Sequence, residues 1–152
     1  MAAAWARAAA VVLAVVAVDQ LSKAIVVDSI PRGDRRTVVP GLDLVHVRNR
    51  GIAFGLLDGR SVVLTVVTVG ALALLVGYFA LHTRRPLLWL ATGLLLGGAL
   101  GNLLDRIRDD AVTDFIDLPL WPAFNLADAA ITIGVLVLLA SMEMGRAGGR
   151  GP

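Results

Sequence analysis

Residues 87–104 read LLWLATGLLLGGALGNLL, eighteen positions without a charge, bracketed by Arg84-Arg85-Pro86 and Asp105-Arg106. A helix crossing a bilayer needs about 20 mostly apolar residues, so this stretch is a membrane span. Gly93, Gly97 and Gly101 recur at steps of four, a stripe of small residues against which another helix packs closely. A packed bundle therefore follows from this one segment. Three more segments qualify or nearly do: Ala8–Val27, apolar except for Asp19, Gln20, Ser22 and Lys23 near its end, Ser61–Leu81 and Asn125–Met144. Backbone groups in hydrocarbon must bond internally, so each is expected to be an α-helix. The predicted fold is an all-α membrane protein with four transmembrane helices plus a small extracytoplasmic β-sheet and interfacial-helix region. Residues 1–152 are expected to form one membrane-embedded domain. Composition agrees: 57% of the 152 residues are hydrophobic and 17% charged, against about a quarter charged in soluble domains.

The chain lacks cysteine and has two histidines, His46 and His82, far apart. That excludes disulfides and thiolate chemistry, and argues against a metal site. The formal net charge is +2 although the pI is near 9.9, too weak an excess to point to nucleic acid. Between the first two spans, residues 28–60 are longer than a linker. Thr37-Val38-Val39 and Leu42–Val47 read as strands around a Pro40-Gly41 turn, and Asn49-Arg50-Gly51 as a second turn. Ile52–Leu57 is short and apolar, suited to the interface. Residues 145–152 read as a disordered tail. The first span has a rival reading as a cleaved signal peptide with Arg7 as its basic region, but three later apolar runs demand a membrane in any case.

An even number of crossings puts the termini and the His82–Pro86 connector on one side. That side carries Arg7, Arg84, Arg85, Arg146 and Arg150; the other carries Arg32, Arg35, Arg36, Arg48, Arg50, Arg60, Arg106 and Arg108. Read literally, the positive-inside rule puts the termini outside. The second side also carries many aspartates, so its arginines are expected to sit in folded ion pairs. Charge counting leaves the orientation open.

Charges inside a bilayer cost about 2.5–3.5 kcal/mol each at a helix centre, so those present invite a reason. Asp19 and Lys23 share a helix face, as an ion pair or as supports of a site. Gly98, Asn102 and Asp105 share another, with Arg106 next in the chain. They read as a helix stop with an Asp–Arg pair, or as part of a site. Asp114 lies in Val112-Thr113-Asp114-Phe115 between helices. Asp128 lies in Phe124-Asn125-Leu126-Ala127-Asp128, where Asn125 can cap the fourth helix and Asp128 falls in its first turn. Capping accounts for Asp128 alone, but not for two acids in one loop–helix unit at one membrane face. Two carboxyls brought together where water is scarce share a proton. One then acts as base and the other as acid, which suits activating water and protonating an amide nitrogen.

At these residues the sequence resembles the bacterial lipoprotein signal peptidases (signal peptidase II). The resemblance covers nearly the whole chain through five motifs in the family's order: Asp19-Gln20-Leu21-Ser22-Lys23, Asn49–Gly55, Gly101–Arg106, Val112–Phe115 and Phe124–Asp128. Ala111 departs from it, where a turn glycine is expected. The resemblance implies an intramembrane aspartic endopeptidase of the inner membrane, with both termini cytoplasmic and the active site toward the extracytoplasmic leaflet. It cuts diacylglyceryl-modified prolipoproteins before the lipidated cysteine. Asp114 and Asp128 would form the catalytic dyad, and Asn49, Asn102, Arg106 and Asn125 would line the substrate pocket. Asp105 would support Arg106 by charge pairing, while Asp19 and Lys23 brace the site. The Leu42–Leu57 region, led by Phe54, would roof it. The implied enzyme needs no metal or other cofactor and works as a monomer among membrane lipids. Two other readings compete: an ion-coupled carrier, disfavoured by few helices and no matching halves, and an assembly protein, which leaves the clustered acids and amides unexplained.

Overall fold

The structure is a computed structural model that describes the backbone of residues 1–50 and 60–147 and the side chains of residues 1–50 and 66–145. Along the chain run helix α1 (Ala2–Ser29), strands β1 (Arg35–Val39) and β2 (Leu42–Asn49), helices α2 (Arg60–Leu81) and α3 (Leu88–Asp109), strands β3 (Val112–Leu118) and β4 (Trp121–Phe124), and helix α4 (Leu126–Ala147). Among the described residues, three helices are long and apolar enough to cross a membrane: Ala2–Ser29, Leu88–Asp109 and Leu126–Gly145. In α2 the apolar stretch among the described residues is the shorter Val66–Leu81.

Helix α3 is the axis of the bundle, and its glycines are the reason. A Cβ added at Gly93 would stand 2.6 Å from Cβ of Val11, and one at Gly97 would stand 2.7 Å from Cβ of Val15. At Gly101 it would meet Asp19 Oδ2 at 2.7 Å. The stripe read from the sequence is thus the seat of α1, whose residues 11, 15 and 19 ride along it at the same spacing. Gly98, on another face, abuts the Ala127 carbonyl and Ile131 of α4. Backbone-to-backbone packing on two faces pulls the N-terminal and C-terminal helices onto one central helix. Where α1 begins, Trp5 meets Phe79 edge-on with ring centroids 4.6 Å apart, and Ala8, Phe79 and Leu88 form a small core.

At the opposite end lies a four-stranded antiparallel sheet in the order β1-β2-β3-β4. The β1–β2 hairpin turns at Pro40-Gly41 as expected, with Gly41 at φ 88°. The sheet is not confined to residues 28–60, however. Half of it comes from residues 112–124, for which the sequence reading placed no strand of the sheet. Phe115 explains its attachment: it packs with Val26 and Ile30 at the end of α1, capped by Leu44, Ile116 and Leu126. Its neighbour Asp114 faces the other way, so β3 is buried on both sides at this point.

The other boundaries differ in instructive ways. Helix α3 continues past Leu104 to Asp109, so Asp105 and Arg106 lie inside it rather than at its stop. The left-handed residue that turns the chain into β3 is Asp110, at φ 53°, so Ala111 needs no glycine. Helix α4 continues through Ala147, so the first residues of the expected tail are helical. The expected interfacial helix at Ile52–Leu57, Phe54 and the turn glycine Gly51 lie outside the described residues.

Candidate active site

Helices α1 and α3, the sheet and the start of α4 converge at one place. The innermost layer is ionic. Lys23 Nζ lies 2.8 Å from Asp19 Oδ2, 2.8 Å from Asp105 Oδ2 and 3.0 Å from Asn102 Oδ1. An ammonium has three donors and no acceptor, so these partners saturate it. All four side chains are buried, Asp19 completely. Both acids have further donors. Asp19 Oδ1 accepts the Ala127 amide at 2.9 Å, and Asp105 Oδ1 accepts Gln20 Nε2 at 2.8 Å. The Thr113 amide reaches Asp105 Oδ2 at 3.4 Å. The pair thus ties α1 to the starts of α4 and β3.

The second layer is a set of amides whose orientation the first layer dictates. Lys23 can face only an acceptor, so Asn102 must turn its oxygen toward it. Asn102 Nδ2 then points away and donates to Asp128 Oδ1 at 2.8 Å. Asn125 is fully buried and uses Nδ2 twice, on Asn102 Oδ1 at 3.2 Å and on Asp114 Oδ1 at 2.7 Å. Its Oδ1 accepts the Asp128 amide at 3.0 Å, while Asp128 Oδ2 accepts the Asn125 amide at 3.3 Å. That exchange is a capping box, so the capping expected of Asn125 is present, and it fixes Asp128 as well. The remaining Asp114 oxygen, Oδ2, accepts Asn49 Nδ2 at 2.9 Å from β2.

Asp114 and Asp128 are therefore held on two sides of Asn125. Burial pushes the Asp114 carboxyl above the ordinary carboxylate range. The Asn49 hydrogen bond opposes this, the nearby Asp128 charge adds to it, and Asn125 and Lys23 oppose it. Two cavities open on the pair. One of about 320 Å³ is lined by Asp128 with Leu118, Trp121, Phe124 and Ile133. The other, of about 500 Å³, is lined by Asp114 and Asn49 with Arg32, Arg48 and Arg50.

Of the residues singled out in the sequence, Asp114, Asp128, Asn49, Asn102 and Asn125 form this network, and Asp19, Lys23 and Asp105 lie directly behind it. The expected Asp105–Arg106 pair does not form among the described residues. Neighbours on a helix point about a quarter-turn apart. Asp105 therefore faces the buried Lys23, while Arg106, half-buried, reaches back to the Asn102 carbonyl at 3.4 Å. Gln20 was quoted within the first-helix motif but given no role of its own. It bonds Asp105, the Gly101 carbonyl at 3.3 Å and Asp19 at 3.3 Å. The signal available was a polar amide beside Asp19 in an apolar helix.

The signal peptidase (SPase) II family model matches residues 11–144. A lipoprotein signal peptidase of Syntrophomonas wolfei is 48% identical over 128 residues, covering 84% of this chain and 86% of that protein. One from Moorella thermoacetica is 45% identical over 141 residues, covering 88% and 94%. A solved structure described as a bacterial membrane enzyme, obtained by the in meso method at 1.9 Å resolution, superposes with a TM-score of 0.82. It is 34% identical and covers 89% of this chain and 91% of that one. Motif order, bundle, sheet and buried acid–amide network coincide in one assignment: the chain belongs to the signal peptidase II family.

Proposed function

We propose that Asp114 and Asp128 are the catalytic dyad of this peptidase, which removes signal peptides from prolipoproteins as its family does. The single observation that carries the dyad is Asn125, whose amide bonds Asp114 while its main chain and side-chain oxygen exchange bonds with Asp128. In this reading Asp114 keeps its proton and Asp128 is the carboxylate. Asp128 takes a proton from a water held between them as the water attacks the scissile carbonyl. Asp114 donates its proton to the carbonyl oxygen, giving a tetrahedral diol without an acyl-enzyme. Collapse of the diol passes the proton on Asp128 to the leaving nitrogen and returns a proton to Asp114. Asn102 and Asn125 hold the two carboxyls, Asn49 and Arg106 line the approach, and Asp19, Lys23 and Asp105 hold Asn102.

The substrate in this reading carries a diacylglyceryl group on the cysteine after the cut bond. The apolar cavity beside Asp128 supports that, since its exposed Trp121 and Ile133 suit a membrane-held ligand. We further propose that residues 1–152 form one domain, that α2 crosses the membrane with the other three helices, and that the chain works as a monomer in the inner membrane. Both termini are cytoplasmic and the sheet is extracytoplasmic. Arginines over aromatic rings support an interface at the end where α1 begins: Arg7 lies 5.8 Å from the Trp89 ring and Arg85 lies 5.7 Å from the Tyr78 ring.

The test is side-by-side incubation of the detergent-purified protein with diacylated and non-acylated precursors. The diacylated one is cut, and Asp114→Asn and Asp128→Asn each abolish cutting while thermal unfolding stays cooperative. Turnover retained in either variant refutes the dyad.

A further inference from the structure

We propose that the basic cleft on the Asp114 side receives the part of the precursor that follows the cut bond, and that it favours precursors with acidic residues there. This rests on the dyad reading above. The sequence left an excess of arginine at the sheet end without a use beyond ion pairing. The structure divides that excess. Arg35 is consumed by the sheet, bonding Asp43 at 2.8 Å and Asp117 at 2.7 Å. Arg32, Arg48 and Arg50 instead line the cavity of about 500 Å³ that reaches Asp114.

Arg32 comes from the turn after α1, and Arg48 and Arg50 from the end of β2. Arg48 donates to the Asp109 carbonyl and stands 4.0 Å from its carboxylate. Among the described residues, Arg32 and Arg50 form no ion pair. Among the described residues of the lining, Asp114 is the single acid, against three arginines. The cleft therefore carries an excess of guanidinium groups, Arg32 and Arg50 outside any ion pair among the described residues, a surface suited to carboxylates of a bound chain.

The direction of the chain follows from the contrast between the two cavities. A peptide bond held between Asp114 and Asp128 lies between the two cavities, so the signal segment and the acyl chains can turn to one while the main chain beyond the lipidated residue turns to the other. The cavity beside Asp128 is walled by Leu118, Trp121, Phe124 and Ile133 and suits apolar, membrane-held groups. The cleft beside Asp114 sets its arginines and Asn49 beside Val47, Pro122 and Ala123, and suits a polar chain better than acyl groups. In a precursor whose signal segment and acyl chains are apolar, that chain is the one after the cut.

The experiment uses the full chain in neutral detergent with three diacylated precursors that differ only after the lipidated residue: two acidic, two neutral or two basic side chains. The expected order of kcat/KM is acidic, neutral, basic. Exposed pairs are individually weak, so several acting together give about a three- to tenfold step from neutral to acidic, shrinking in high salt. Arg32→Glu and Arg48→Gln bring the acidic-to-neutral ratio toward one. Arg32 is exposed, so its variant carries the test if Arg48→Gln fails to fold. Equal kcat/KM for all three precursors leaves the dyad standing and overturns this proposal, as does a ratio unmoved by Arg32→Glu. Rates that follow added anionic phospholipid but ignore precursor charge assign the cleft to lipid headgroups and also overturn it. If no precursor is cut, both readings fall.

Discussion

Replacing Lys23 by Met tests the architecture behind the dyad. Methionine keeps the length of the side chain and removes its charge. Three contacts vanish together: 2.8 Å to Asp19, 2.8 Å to Asp105 and 3.0 Å to Asn102. Asp19 and Asp105 are then left 0% and 7% exposed with no cation between them. Removing one partner of a buried pair costs about 3–5 kcal/mol. Lys23 serves two carboxylates, so the upper part of that range applies, on the order of a thousandfold in the folding constant. Total stabilities are about 5–15 kcal/mol, so the variant should still fold at low temperature, with its unfolding transition in detergent shifted far down. Activity measured below that transition should also fall, because nothing then obliges Asn102 to aim Nδ2 at Asp128. Adding Asp105→Asn separates the two effects. It removes one of the stranded charges and recovers part of the stability, but it returns no cation to Asn102, so kcat stays low. A Lys23→Met protein within about 0.5 kcal/mol of wild type, or a double variant with wild-type kcat, would refute this account.

Other consequences are quicker to check. Asp114 acts as the acid, so kcat/KM should fall on the alkaline side as it loses its proton. Asn49→Ala removes a hydrogen bond that favours the charged form, so that limb should move to higher pH; a pH–rate profile with an unmoved limb contradicts it. Folded Asp114 holds its proton more tightly than the unfolded residue, so its contribution to stability is lost as pH rises from about 4 through the raised value. Asp114→Asn should flatten that part of the stability–pH curve, and an unchanged slope counts against the burial. Gly101→Ala would place a methyl 2.7 Å from Asp19 Oδ2 and should cost about 1–3 kcal/mol in detergent unfolding. Gly70→Ala on α2 meets nothing within 4 Å and should be neutral or slightly stabilising, and equal losses at the two sites would remove the packing argument. Asp109→Asn keeps the carbonyl that Arg48 uses and loses a 53%-exposed carboxylate 4.0 Å away, so stability should change by less than about 0.5 kcal/mol.

What could be read in advance follows from the range of the forces involved. The spans and the glycine stripe are patterns of polarity and size along a single helix, and both are visible without a partner. The Pro40-Gly41 hairpin is equally local. The second half of the sheet was not visible, because β3 is set by pairing with β2 more than sixty residues earlier, as in Val47↔Asp114. Asp105 was assigned the wrong partner for a related reason. In sequence its nearest cation is Arg106, whereas in space it is Lys23, brought from α1 by the approach that Gly101 permits. Gln20 received no role because its partners Gly101 and Asp105 lie on α3 as well.

The same geometry explains why the site can be stiff at a boundary between hydrocarbon and water. Asp128 stands in the first turn of α4 and is held by its own cap, so the helix positions it without help from a loop. Asp114 stands on a strand pinned by Phe115 on the opposite face and by Asn49 across the ladder. A helix and a sheet have no common register, so something must set their relative placement. Asn125 does so from the junction, and Asn102 and Lys23 connect that junction to α3 and α1. Each link is a donor that can face only an acceptor, beginning at a cation with no freedom to invert. A chain of that kind transmits orientation rather than charge. Its failure should therefore appear as lost kcat with binding retained, and not as a shift in which precursors are accepted.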